Sequence, residues 1–109
     1  MAITYKVLGQ VAPSATTNTD VYTVGAGKQA IISTITITNR DSNATTYRIA
    51  VRPAGATVAN QHYIAYGTGV AGNDTIALTL GISMSATDVL TVYSTTANLS
   101  FGVFGSEIS

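Results

Sequence analysis

Residues 30–39 read Ala30-Ile31-Ile32-Ser33-Thr34-Ile35-Thr36-Ile37-Thr38-Asn39, and every position from Ile31 to Thr38 except Ser33 is β-branched. Such side chains lose rotamer freedom in a helix and pack well on a pleated surface, so the run is a strand. Period-two alternation sets Ile31, Ile35 and Ile37 on one face against Ile32, Thr34, Thr36 and Thr38 on the other. The expectation is one buried face and one face covered in threonine.

The same period extends outward in both directions. Asn39-Arg40-Asp41-Ser42-Asn43 is rich in turn formers, and after it Thr46–Arg52 alternates, with Tyr47, Ile49 and Val51 inward and Arg48, Ala50 and Arg52 outward. The two strands are expected to form a hairpin. Upstream, Gly25-Ala26-Gly27-Lys28 reads as a hairpin turn after a short strand from Asp20 to Val24, and Ile3, Tyr5 and Val7 line one face of a first strand that stops near Gly9. Downstream, 53–59 is irregular or at most a helical turn, Gln61–Tyr66 is a strand, and the glycine-rich Gly67–Asp74 is a loop. Ile76, Leu78 and Leu80 alternate up to a bend at Gly81, and further strands run over Asp88–Ser94 and Leu99–Phe104.

About eight short strands separated by turn signals, with no sustained helical stripe, describe an all-β fold. The expectation is a single antiparallel β-sandwich covering residues 1–109, of Greek-key or jelly-roll type or immunoglobulin-like. Alternation does not encode which strands pair. The length of 109 residues suits one core, and five basic against five acidic residues give no net charge. That balance argues against a polybasic nucleic-acid binder or an acidic tail. No stretch is apolar for long enough to form a spanning helix, and the first ten residues lack the continuous apolar core of a secretory signal. No membrane or nucleic-acid partner is therefore expected. Only 9% of residues are charged, while 27 of 109 are Ser or Thr, so the surface has little charge repulsion to oppose association. A homo-oligomer or assembly subunit is expected. Without cysteine there are no disulfides or thiolate sites.

Chemistry is sparse. The titratable supply near neutrality and below is His62, four Asp and Glu107, too few and too scattered for a catalytic constellation. His62 falls with Ile64 and Tyr66 on one face by alternation and reads as a hydrogen-bonded strand-end residue. There is no Gly-x-Ser-x-Gly elbow, which argues against a hydrolase. Asp20, Asp41, Asp74 and Asp88 sit in separate turns without calcium-loop spacing. Gly25-Ala26-Gly27 lacks the helix that a phosphate loop requires. Asn-x-Ser/Thr triplets at Asn43, Asn73 and Asn98 are what a chain so rich in hydroxyls produces by chance. No catalytic residue, cofactor or metal is expected, and the chain is read as non-enzymatic. The candidates for partner contact are Arg48 and Arg52, outward on one strand, with Tyr63 and Tyr66 as aromatic neighbours. Discouragement of edge pairing is an equally good role for these arginines. Ile3, the Ala-rich loops and the tails 1–4 and 107–109 are further candidates, the tails as arms that could extend a neighbour's sheet.

Several segments carry a resemblance. Tyr5-Lys6-Val7-Leu8-Gly9-Gln10, Asp20-Val21-Tyr22-Thr23-Val24 before a Gly-Lys turn, Ile35-Thr36-Ile37-Thr38-Asn39-Arg40, and the ending from Val92-Tyr93 to Ser100-Phe101-Gly102-Val103-Phe104-Gly105-Ser106-Glu107 are involved. The chain resembles, over most of its length, small virion structural proteins of tailed bacteriophages, especially phages of cyanobacteria and other aquatic bacteria. The resemblance implies a virion component made in the cytoplasm of an infected bacterium, foremost a capsid decoration (cement) protein. Such a subunit would contact the major capsid protein and other copies of itself, with a trimer as the expected cluster. A neck, tail or fibre accessory subunit is the nearest variant, and no residue role comes with the resemblance. Outside it stand a carbohydrate- or receptor-binding sandwich, with Tyr47, Tyr63 and Tyr66 stacking on sugars near Arg48 and Asn60, and an extracellular filament subunit.

Overall fold

A computed structural model describes residues 2–109, and it contains two four-stranded antiparallel sheets packed face to face. The strands are β1 (Ile3–Val11), β2 (Thr19–Thr23), β3 (Gln29–Asn39), β4 (Thr45–Arg52), β5 (Tyr63–Val70), β6 (Thr75–Met84), β7 (Val89–Ser94) and β8 (Leu99–Ile108). One sheet has the order β1-β8-β3-β6 and the other β2-β7-β4-β5. First pairs with eighth, second with seventh, third with sixth and fourth with fifth. This nested pairing is a long hairpin rolled up on itself, the jelly roll. Of the three strand orders left open by alternation, the molecule adopts this one.

Rolling up has a consequence that turn residues do not reveal. Only β4 and β5 are sequence neighbours within a sheet. The expected hairpins β2–β3 and β3–β4 are therefore absent, because Gly25–Lys28 and Arg40–Ala44 carry the chain from one sheet to the other. Such crossings bury polar backbone, which side chains must satisfy. Asn39, 1% exposed, donates from Nδ2 to the carbonyls of Asn43 at 2.8 Å and Ala71 at 3.2 Å, and its Oδ1 accepts the Asp41 N–H at 3.0 Å. One amide thus holds the β3–β4 and β5–β6 crossings together. At the opposite end the Asp88 carboxylate accepts the N–H groups of Ala54 and Ser85, both at 2.9 Å.

The core is built from Ile32, Ile35, Ile37, Tyr47, Ile49, Leu90, Val92, Leu99, Phe101 and Val103, each 2% exposed or less. Burying such a side chain stabilises by about 1.5–3 kcal/mol. The edge-to-face contact of Tyr47 and Phe101, with centroids 6.1 Å apart, locks the two sheets together.

Alternation assigns part of this core to the wrong face. Ile31 is 39% exposed while Ile32 is fully buried, and the β1 face of Ile3, Tyr5 and Val7, which alternation leaves unassigned to inside or outside, points outward at 50%, 83% and 49% exposure. The cause is a line of bulges. Against the unbroken β8, β1 inserts Leu8 opposite Val103-Phe104 and β3 inserts Ser33 opposite Phe104-Gly105, and opposite Ser33 β6 inserts Leu80-Gly81. Each single insertion moves the following residues to the other face, so Ala30 and Ile32 point inward above the line and Ile35 and Ile37 below it, whereas the two-residue insertion in β6 leaves its alternation unchanged. A Cβ on Gly105 would overlap the carbonyl oxygen of Ile31, so the bulge requires glycine there.

Other boundaries also differ from expectation. Gln61 and His62 lie in a short 3₁₀ turn, Asn60–His62, ahead of β5, and Gly67–Val70 continues β5 instead of forming a loop. The tails are not free arms: Ala2 and Ser109 exchange backbone hydrogen bonds of 3.1 and 3.0 Å, and Ile3 pairs with Ile108. Met1, included in the expected N-terminal arm, lies outside the described residues.

Gly105→Ala is expected to destabilise by about 1–3 kcal/mol, because backbone and not a flexible side chain must yield. Gly69→Ala, with nothing within 4 Å of the new Cβ, is expected to stay within about 0.5 kcal/mol of the parent. Urea denaturation of both variants checks the contrast.

Candidate functional site

The outer face of the β2-β7-β4-β5 sheet brings together three of the four candidate residues. On a regular strand Tyr63 and Tyr66 would face opposite ways. Between them β5 inserts Ile64 as an extra residue, so Tyr63 pairs with Ala50 and Tyr66 with Arg48, both outward. The rings meet edge to face, with centroids 4.8 Å apart and planes at 82°. On the other side of Arg48, β7 contributes Tyr93. The guanidinium carbon of Arg48 lies 4.3 Å from the Tyr66 centroid and 4.2 Å from the Tyr93 centroid. Arg48 is thus held flat between two rings, a cation–π arrangement worth about 0.5–1 kcal/mol per exposed pair. Tyr93 was missing from the sequence-derived set. Its outward parity in β7 is readable, but its position beside Arg48 depends on β7 pairing with β4.

Arg52 belongs elsewhere. Its Nε donates to Thr91 Oγ1 at 2.9 Å, Nη1 to the carbonyls of Gly55 and Ala56 at 3.1 and 2.9 Å, and Nη2 to Asp20 Oδ1 at 2.8 Å. Thr91 Oγ1 donates to the same Asp20 oxygen at 2.9 Å. These contacts fasten the 53–56 turn onto the sheet beside a shallow cleft of about 310 Å³. Arg52 is a structural staple.

Among the described residues, Arg48 is the one charged side chain with neither a hydrogen bond nor an ion pair. Arg40 donates to the Ala97 carbonyl at 2.9 Å. Asp41 accepts from Asn98 at 3.1 Å and Asp74 from the Thr75 N–H at 2.9 Å. Lys6, Lys28 and Glu107 meet at the open end of the sandwich, with Lys6 at 3.2 Å and Lys28 at 3.9 Å from Glu107 Oε1. The other Glu107 oxygen accepts the Tyr22 hydroxyl at 2.7 Å. That bond, helped by the two ammonium groups and opposed by desolvation, holds the Glu107 carboxyl below its ordinary value of 4.5. Burial first, then the bond and charge of Glu107, push the Tyr22 hydroxyl well up.

The remaining candidates scatter. Tyr47 is 1% exposed and belongs to the core, which removes it from any sugar platform. His62 Nδ1 accepts the Ala59 N–H at 3.0 Å inside its own turn, and Asn60 opens that turn. Ile64, expected on the face of His62 and Tyr66, is the inserted residue and is 46% exposed. Among the described residues no group of three or more His, Asp or Glu could hold a metal ion. No protein-family model and no curated protein matches the chain.

Two predictions follow from these roles. Arg52→Ala removes the hydrogen bonds to Thr91, Asp20 and two turn carbonyls and is expected to lower stability by about 2–3 kcal/mol, whereas Arg48→Ala, which gives up two cation–π contacts, costs about 1–2 kcal/mol; chemical denaturation separates them. Glu107, whose pKa is lower folded than unfolded, stabilises fully above about pH 4.5 and progressively less as pH falls through its folded value. Glu107→Gln is therefore expected to be less stable at pH 7 and to show a shallower loss below pH 4.5 in acid-dependent urea titrations.

Proposed function

We propose that this chain is a non-enzymatic structural subunit of a tailed-phage virion, a decoration (cement) protein that sits on the outside of the capsid as a homo-oligomer. The observation that carries the reading is Arg48, a guanidinium held between Tyr66 and Tyr93 with its donor edge unclaimed by its own chain. Arginine and tyrosine in one rigid cluster are the residues that dominate protein interfaces. An unclaimed guanidinium suits a carboxylate on a partner such as the major capsid protein. The sequence resemblance points to the same class of particle. A jelly roll whose ion pairs and loop hydrogen bonds are internally complete suits a subunit repeated many times over a shell. Repetition lets a modest contact per copy become effectively permanent.

The carbohydrate-binding alternative has less geometric support. A sugar platform presents an open ring face, and here the guanidinium covers one face each of Tyr66 and Tyr93. A location at the neck, tail or fibres keeps the same contact chemistry at another place on the particle.

Gold-labelled antibody against the chain, applied to particles and cells of the source culture, is expected to decorate phage heads evenly. Label at the neck or tail would move the subunit, and label on cell-attached filaments with none on phage would overturn the virion reading. In a binding assay with undecorated heads, Arg48→Glu is expected to weaken attachment at least tenfold while leaving the circular dichroism spectrum unchanged.

A further inference from the structure

The other broad face, the outer surface of the β1-β8-β3-β6 sheet, has an unusual composition. Its four strands contain two charged residues, Lys6 and Glu107, and these pair with each other. Both point to the sandwich side: Lys6 shares a register row with Gly105 and the buried Ile32, and Glu107 with the buried Ala30. The outer side is consequently free of charge. Above the bulge line it exposes Ile3, Tyr5, Val7 and Ile31 around Phe104. Below the line it is paved with Thr34, Thr36, Thr38, Thr75 and Thr79, whose Thr38 and Thr75 hydroxyls bond at 3.2 Å.

We propose that this face is an isologous self-association surface and that its occupant is a second copy of this chain, packed with strands antiparallel about a twofold axis lying in the face. This contact stands independently of the virion reading. Three observations select a copy over a foreign partner. Near a twofold axis each side chain meets its own counterpart, so any charge would face a like charge, and this face has none. The face is self-complementary in shape: Tyr5, 83% exposed, projects at one end, and at the other a groove of about 420 Å³ runs along Gln10, Thr36, Thr38, Ser100 and Gly102. The twofold places each Tyr5 over the partner's groove, with Phe104 and Thr34 near the axis. The molecule's two longer dimensions, 45 and 27 Å, give its broad side room for a standard interface, which takes about 800 Å² from each partner.

Sedimentation velocity of the purified chain from about 1 to about 100 µM tests the idea. A dimer is expected, and Tyr5→Glu, at a position too exposed to disturb folding, is expected to weaken it at least tenfold. The chain has no cysteine, so Y5C/Q10C reports the geometry directly: oxidation is expected to give covalent dimers, whereas Y5C alone gives none. Positions 5 and 10 are too far apart along β1 to link within one copy. A monomer throughout the concentration range, a dimer indifferent to Tyr5→Glu, or cross-linking through Y5C alone would overturn the proposal. Because every readout uses purified protein, failure here leaves the gold-labelling outcome unaffected, and the reverse holds as well.

Discussion

Between the levels of Val103 and Gly105 the first sheet accommodates extra residues in three of its four strands, and the unbroken β8 passes through as the reference against which they bulge. Without Ser33, the segment 30–32 would turn over: Ile31 would enter the core and Ala30 and Ile32 would face water. The same holds in β1, where Leu8 decides that Ile3, Tyr5 and Val7 lie outside. A bulge is worth little as an isolated interaction. Its force comes from parity, because one inserted residue reassigns every side chain beyond it. The close approach of the Ile31 carbonyl to Gly105 fixes where the insertion sits, since only a residue without Cβ can lie beneath it.

Strand content was legible in the sequence because β-branched residues and alternation act locally, over each strand separately. Residues 45–52 show how far that extends: Tyr47 and Ile49 are buried and Arg48 is outward, as the period requires. Pairing was not legible. Asn39-Arg40-Asp41-Ser42-Asn43 announces a reversal of the chain, but its residues serve a turn within a sheet and a crossing between sheets equally well. What distinguishes them is the Asn39 side chain reaching Ala71, which lies far along the sequence. Gly67–Val70 was misread for a related reason. Glycine there signals a loop by composition, yet β4 supplies a ladder that holds it as an edge strand.

The candidate site repeats this division. The pairing of outward arginine with tyrosine was visible in residue types, and three of the four named side chains do converge. Arg52 left the group because Asp20 and Thr91, from strands β2 and β7, claim its donors. Tyr93 joined because β7 runs beside β4. Both changes are made by neighbours that only the rolled-up topology supplies, so no single-strand pattern could have found them.

The scarcity of charge gains a physical meaning once each charged group is located. Ion pairs fasten the open end of the sandwich and the 53–56 turn, and carboxylates cap the crossings, so nine of the ten charged side chains work within the molecule. A soluble monomer ordinarily spreads both signs over its surface to resist association. Here one broad face has no charge, and the other presents a guanidinium clamped between rings. The two faces differ in the contact each can make. The uncharged face suits a symmetric contact, where like would meet like; the arginine face suits an asymmetric one, because at a twofold axis the guanidinium would meet its own copy. The two sheets of the jelly roll thus place surfaces suited to contacts of different symmetry on opposite sides.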